Sequence, residues 1–205
     1  MTIHRFESQR PNNESGFSLI EVMISMVILA VGLLATLAAL EITMAANSTS
    51  QQDMIARQLA SEAMESIFNA RNSSQIPFSS IANTTATPPG IFVPTAEQPK
   101  CEGPDGILGT ADDTACLTAS GVECPNGGVE CLSEAGPDGI VGTADDAIVS
   151  LANFYRTITI TPLSEDGVTT DQTLVEVTIT INYQVAGNFG HTRTYVLNEE
   201  ISEYH

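Results

Sequence analysis

Apolar positions follow three different patterns along this chain. Residues 22–40 read VMISMVILAVGLLATLAAL, 19 residues without a charge, with one glycine (Gly32) and no proline. As a helix this run would span roughly 28 Å, close to the hydrocarbon thickness of a bilayer. It has no polar face; a buried core helix of a soluble protein is the alternative, but such helices rarely run 19 residues without one. Beyond Ala46 the chain becomes polar but keeps helical spacing. Ile55, Leu59, Ala63 and Ile67 recur four residues apart, with Met64 and Phe68 beside them, while Arg57, Gln58, Ser61, Glu62 and Glu65 face the other way. This helix should end near Asn72, where Ser-Ser precedes Pro77. The last third alternates with a period of two. Ile158 and Ile160 share a face in 155–161, as do Val175, Val177, Ile179, Ile181, Tyr183 and Val185 in 174–185; a third strand at 191–198 carries Tyr195 and Leu197 opposite Val196. With turns at 164–171 and 186–190, this predicts an antiparallel meander of three or four strands. Its aliphatic face needs a cover, and the stripe on 47–69 supplies it. The predicted architecture is α+β: a long N-terminal helix, membrane-spanning in its first half and amphipathic in its second, packed on a C-terminal antiparallel sheet.

Between helix and sheet the periodicity disappears. Residues 73–100 are rich in Ser, Thr, Asn and Pro and read as a connector. A duplication follows: 103–113 reads GPDGILGTADD and 136–146 reads GPDGIVGTADD, ten of eleven positions identical and 33 residues apart. Two copies do not make a solenoid; they make a duplicated loop. Asp105, Asp112 and Asp113 form one carboxylate set, and Asp138, Asp145 and Asp146 form the other. Residues 101–150 contain 10 acidic side chains and no basic one. Carboxylates held together repel unless a cation lies between them, and glycine-rich oxygen-ligand loops suit Ca²⁺, although the spacing is not that of an EF-hand. The expectation is calcium at the two repeats, against the alternative of solvated turns closed at each Asp-Gly. Cys101, Cys116, Cys124 and Cys131 lie in the same region. With no C-x-x-C pair they read as disulfides, not thiolate metal ligands. Of three possible connectivities, Cys101–Cys116 with Cys124–Cys131 is favoured, the first bracketing the first acidic repeat and the second closing a Pro-Asn-Gly-Gly turn.

Composition narrows the function. The 205 residues carry 7 Lys+Arg against 25 Asp+Glu, a net charge of −18. Too few cations exist to build a basic face, which excludes nucleic-acid binding through phosphates and polybasic attachment to a membrane surface. Charged residues are only 16% and hydrophobic ones 42%, as expected when apolar residues are concentrated in one segment. Arg5 and Arg10 precede the apolar run and the next cation is Arg57, which places the N-terminus in the cytoplasm and the remainder across the membrane. A cleaved signal peptide is the competing reading, with Ala45-Ala46-Asn47 as its mimic of a cleavage site, but the run is long and Glu21 interrupts its start. No nucleophile elbow, H-E-x-x-H or phosphate loop occurs, and His4, His191 and His205 are scattered, so no catalytic residue is nominated and no enzyme is expected.

Glu21 is the residue that needs an explanation. A carboxylate at the head of a membrane helix is costly without a cation, and no Lys or Arg lies within helical reach. An α-amino group created by a cut between Gly16 and Phe17, on this chain or a neighbour, would meet it. Gly16-Phe17-Ser18-Leu19-Ile20-Glu21-Val22 followed by an apolar helix resembles the prepilin N-terminal motif of type IV pilins and type II secretion pseudopilins. The resemblance implies cleavage after Gly16 by a prepilin peptidase, methylation of Phe17, and Glu21 guiding docking against other pilin subunits. With no Pro between Pro11 and Pro77, the helix is most similar to that of PilV-type minor pilins. The implied organisation is a leader (1–16), a transmembrane and assembly half-helix (17–46), an amphipathic half-helix (47–72), a loop region with both repeats (73–152) and a β-meander (153–205). The implied function is a minor pilin residing in the inner membrane before assembly and in a pilus or periplasmic pseudopilus afterwards. The alternatives are a pseudopilin or a calcium-dependent adhesin module displayed on a pilus.

Overall fold

The computed structural model describes residues 18–163, 173–185 and 191–204. The expected turns at 164–171 and 186–190 lie outside these ranges. Two compact units are present, Met1–Met44 and Ala45–His205. The helix α1 (Leu19–Asn72) contributes to both.

In the first unit, Ser18 accepts the amides of Glu21 (3.0 Å) and Val22 (3.3 Å), which starts the helix. Its apolar side chains are all exposed, and none of its most apolar 18-residue window is buried. The few hydroxyls in this stretch are satisfied within the helix. Ser25 donates to the Val22 carbonyl, Thr36 to that of Leu33 and Thr43 to that of Ala39, each at 2.8 Å. Such back-bonding removes the cost of placing a hydroxyl in hydrocarbon. Among the described residues this is the one helix long and apolar enough to cross a membrane.

In the second unit, α1 buries Ala56, Leu59, Ala60, Ala63, Met64, Ile67 and Ala70. The buried face is richer in alanine than the predicted stripe. Ile55 and Phe68 sit at its margin, partly covered. That sheet is antiparallel, in the order β3 (Phe154–Pro162), β4 (Leu174–Gln184) and β5 (Thr192–Ser202). The register pairs Ile158 with Ile179 and Ile179 with Leu197. Val175, Val177, Ile179, Ile181 and Tyr183 alternate inward along β4, as the period-two pattern requires. β5 runs four residues beyond the expected 198 and brings Ile201 into the core. Among the described residues no fourth strand joins this sheet. A separate hairpin forms instead from β1 (Cys131–Glu134) and β2 (Ala147–Ser150), flanking the second repeat. Helix and sheet are clamped at one end by Asp53, which accepts the Tyr183 hydroxyl at 2.6 Å and pairs with Arg193 at 3.0 Å. Arg71 clamps the other end by donating to the carbonyls of Ser202 and Tyr204.

The connector is ordered because it serves the open edge of β3. The buried Asn83 side chain donates to the Ile158 carbonyl at 2.9 Å and accepts the Ile160 amide at 2.8 Å. Glu97 exchanges both backbone bonds with Arg156, at 2.9 and 2.7 Å. A sheet edge left with unpaired amides invites pairing with other chains, and this connector closes it.

Candidate functional site

Two regions carry the chemistry singled out in the sequence. At the N-terminus, Glu21 lies in the first turn of α1, exposed and without an ion pair among the described residues. A carboxylate there interacts favourably with the helix dipole, but its charge is uncompensated within the described chain. Gly16 and Phe17, the expected cleavage pair, lie outside the described residues.

The second region is the duplicated loop, and it folds the same way twice. In the first copy Asp105 accepts the Ile107 amide at 2.9 Å; in the second Asp138 accepts the Ile140 amide at 2.9 Å. Asp112 accepts the Asp105 amide and Asp145 the Asp138 amide, at 3.3 and 3.4 Å. Asp113 accepts the Gly109 amide at 2.9 Å, and Asp146 that of Gly142 at 2.6 Å. The threonine hydroxyls reach Asp112 and Asp145 at 2.5 and 2.6 Å. Gly109 (φ +84°) and Gly142 (φ +96°) occupy the left-handed region at equivalent places, where a side chain would be strained. This explains both the glycines and the aspartates: each carboxylate caps amides that a tight loop leaves without a backbone partner.

The carboxylates are therefore hydrogen-bonded to the loop's own donors. Among the described residues no group of three or more His, Cys, Asp or Glu side chains converges as a metal site would require. Hydrogen bonding from Thr110 holds the Asp112 carboxyl below its usual range, and Thr143 does the same for Asp145. Asp113 differs. Burial pushes its pKa up, against the Gly109 amide and the Arg156 guanidinium, which lies 3.7 Å away.

Arg156 is the residue that sequence reasoning missed. It occupies an inward position of β3 between Phe154 and Ile158, and burial pulls its pKa down despite the acids around it. Its position in the alternation, among apolar residues, was the available signal. Near it, burial together with the Glu62 charge pushes Glu130 up to about 7. The cysteines pair as Cys101–Cys116 and Cys124–Cys131, with Cα separations of 5.0 and 5.8 Å. The second bond closes the turn Pro125–Gly128, in which Asn126 (φ 62°), Gly127 (φ 77°) and Gly128 (φ 74°) are all left-handed, residue types that tolerate that region.

The family model described as the prokaryotic N-terminal methylation motif matches residues 11–37. No curated protein and no solved structure matches the chain. The motif leads directly into the long apolar helix, and the second unit is a helix packed on an antiparallel sheet with two disulfides. This motif supports a type IV pilin-like protein, and the α+β fold fits that class. The motif and the uncovered apolar helix are consistent with anchoring in the inner membrane before assembly.

Proposed function

We propose that this chain is a minor pilin of PilV type, a structural subunit and not an enzyme. The peptidase cuts after Gly16 on the cytoplasmic side and Phe17 becomes the methylated N-terminus. The subunit then leaves the bilayer by exchanging lipid for the helices of neighbouring subunits. Glu21 is neutralised in that step by an α-amino group, which supplies the missing cation at close range and out of water, where such a pair is worth most. The observation that carries the reading is the methylation motif joined without interruption to a helix whose membrane-length apolar run is uncovered. Burial of that surface among other helices is the expected driving force of assembly.

The test is the intact mass and N-terminal sequence of the protein from its native membrane. An N-methylated Phe17 is expected; an N-terminus at Met1, or a cut near Ala46, would refute the reading. Glu21→Val should leave processing intact and abolish incorporation into filaments. A pseudopilin is the second reading, favoured by the same motif. Sheared surface filaments that contain the chain support the pilin, and confinement to the periplasm supports the pseudopilin.

A further inference from the structure

The two copies of the repeat share a sequence and a backbone but not a fate. In the first, Ile107 and Leu108 are 0% and 4% exposed and belong to the core. The Ser66 hydroxyl accepts the Leu108 amide at 3.2 Å, the Val93 amide donates to the Gly109 carbonyl at 2.9 Å, and Arg156 faces Asp113. The chain thus holds a receptor for this loop: an apolar recess with an arginine against the last aspartate. In the second copy, Ile140 and Val141 are 60% and 58% exposed. Asp146 has no cationic partner among the described residues, and residues 101–150 contain no cation to offer. The space confirms the difference. Around Gly109 and Asp113, Arg156 leaves about 20 Å³ open, whereas a recess of about 300 Å³ lies beside Gly142 and Asp146, with Val122 and Ile148 in its wall.

We propose that the second repeat docks a different protein chain, whose surface covers Ile140 and Val141 and inserts an arginine into this recess against Asp146. The first copy states the chemistry of the occupant, since the same loop takes an arginine and an apolar cover there. A second copy of this chain is the poorer fit because its own receptor is already filled by its first repeat. A lipid surface is also a poorer fit, because the carboxylates of Asp138 and Asp145 are exposed beside the apolar pair. The inference stands on the comparison of the two loops and not on the filament reading. N-terminal mass analysis of the same sample reports on processing separately.

The experiment places a benzophenone amino acid at Val141 of the full chain in its native cells, with a second probe at the exposed Glu199 as control. Irradiation should give one discrete adduct with a different protein, mapped by mass spectrometry to an apolar surface beside an Arg. Asp146→Asn keeps an acceptor for the Gly142 amide but removes the charge, and should lower the adduct yield at least about tenfold, as loss of a buried charge partner does. Replacing the mapped arginine by Glu should have the same effect, and Asp146→Lys should restore the yield in that background. No adduct above the Glu199 control, an adduct only with itself or with lipid, or a yield unmoved by Asp146→Asn would overturn the proposal.

Discussion

A matched pair of substitutions tests whether long-range packing alone separates the two repeats. Ile107→Ala and Ile140→Ala delete the same atoms from loops that are locally equivalent. Each removes three carbons, about 2.4 kcal/mol of transfer free energy if the side chain is fully buried. Ile107 is fully buried in the core cluster, so a residual cavity adds to the loss and the expected cost is about 3.5 kcal/mol. Ile140 is mostly exposed and leaves no cavity, so its cost should stay below about 1 kcal/mol. For a folded unit of this size each kcal/mol moves Tm by about 2–4 °C. Ile107→Ala should therefore lower Tm by about 10 °C and Ile140→Ala by about 3 °C or less. The assay is thermal unfolding of the full chain in detergent, followed by near-ultraviolet circular dichroism. The reporter is the stacked Phe154–Tyr183 pair, 5.4 Å between ring centroids, inside the sheet core. Equal losses for the two variants would refute the reasoning, because they would show that the second loop is packed as the first is.

Two further outcomes follow from the charges. Glu130, pushed from its ordinary 4.5 to about 7, holds a proton in the folded chain that the unfolded chain releases earlier. Its contribution is present below about pH 4.5 and is lost as the pH rises to about 7. Denaturant unfolding should show stability falling across that window, and Glu130→Gln should flatten the fall and stabilise the protein at pH 8 by on the order of 2 kcal/mol; an unchanged slope would remove Glu130 as the cause. For calcium, the carboxylates of both repeats cap their own loops, so excess chelator should leave Tm within about 1 °C. A site held at a hundredfold excess over Kd would instead add about 2.7 kcal/mol, and such a rise on adding Ca²⁺ would show that the loops rearrange to take the ion.

Much of the architecture is visible in the sequence because its causes are local. A run of apolar residues with no polar face has one stable environment, whatever surrounds it. Alternation of Val and Ile with Thr along 174–185 sets both the strand and its buried face. Asp-Gly pairs and left-handed glycines determine the loop geometry from within eleven residues, which is why both copies adopt it. The N-terminal motif is contiguous, and its reading needs no tertiary contact. The connector was harder to read. Asn83 and Glu97 are ordinary loop residues until β3 arrives with an unpaired edge, 75 positions beyond Asn83 at its first contact and 59 beyond Glu97. Arg156 likewise acquires its partner only when residues 101–114 fold back over the sheet.

The repeats draw the line most sharply. Two segments identical at ten of eleven positions cannot differ in local preference, and the difference of Leu108 from Val141 is one methylene between aliphatic residues. Yet one forms part of the core and the other is open to a partner. The sequence alone determined the helix, the strands of the C-terminal sheet, the shape of each loop and the N-terminal motif, because neighbours along the chain supply those energies. Which loop meets Ser66, Val93 and Arg156 was decided only by tertiary structure, since the first copy occupies that receptor and the described residues offer the second copy no equivalent.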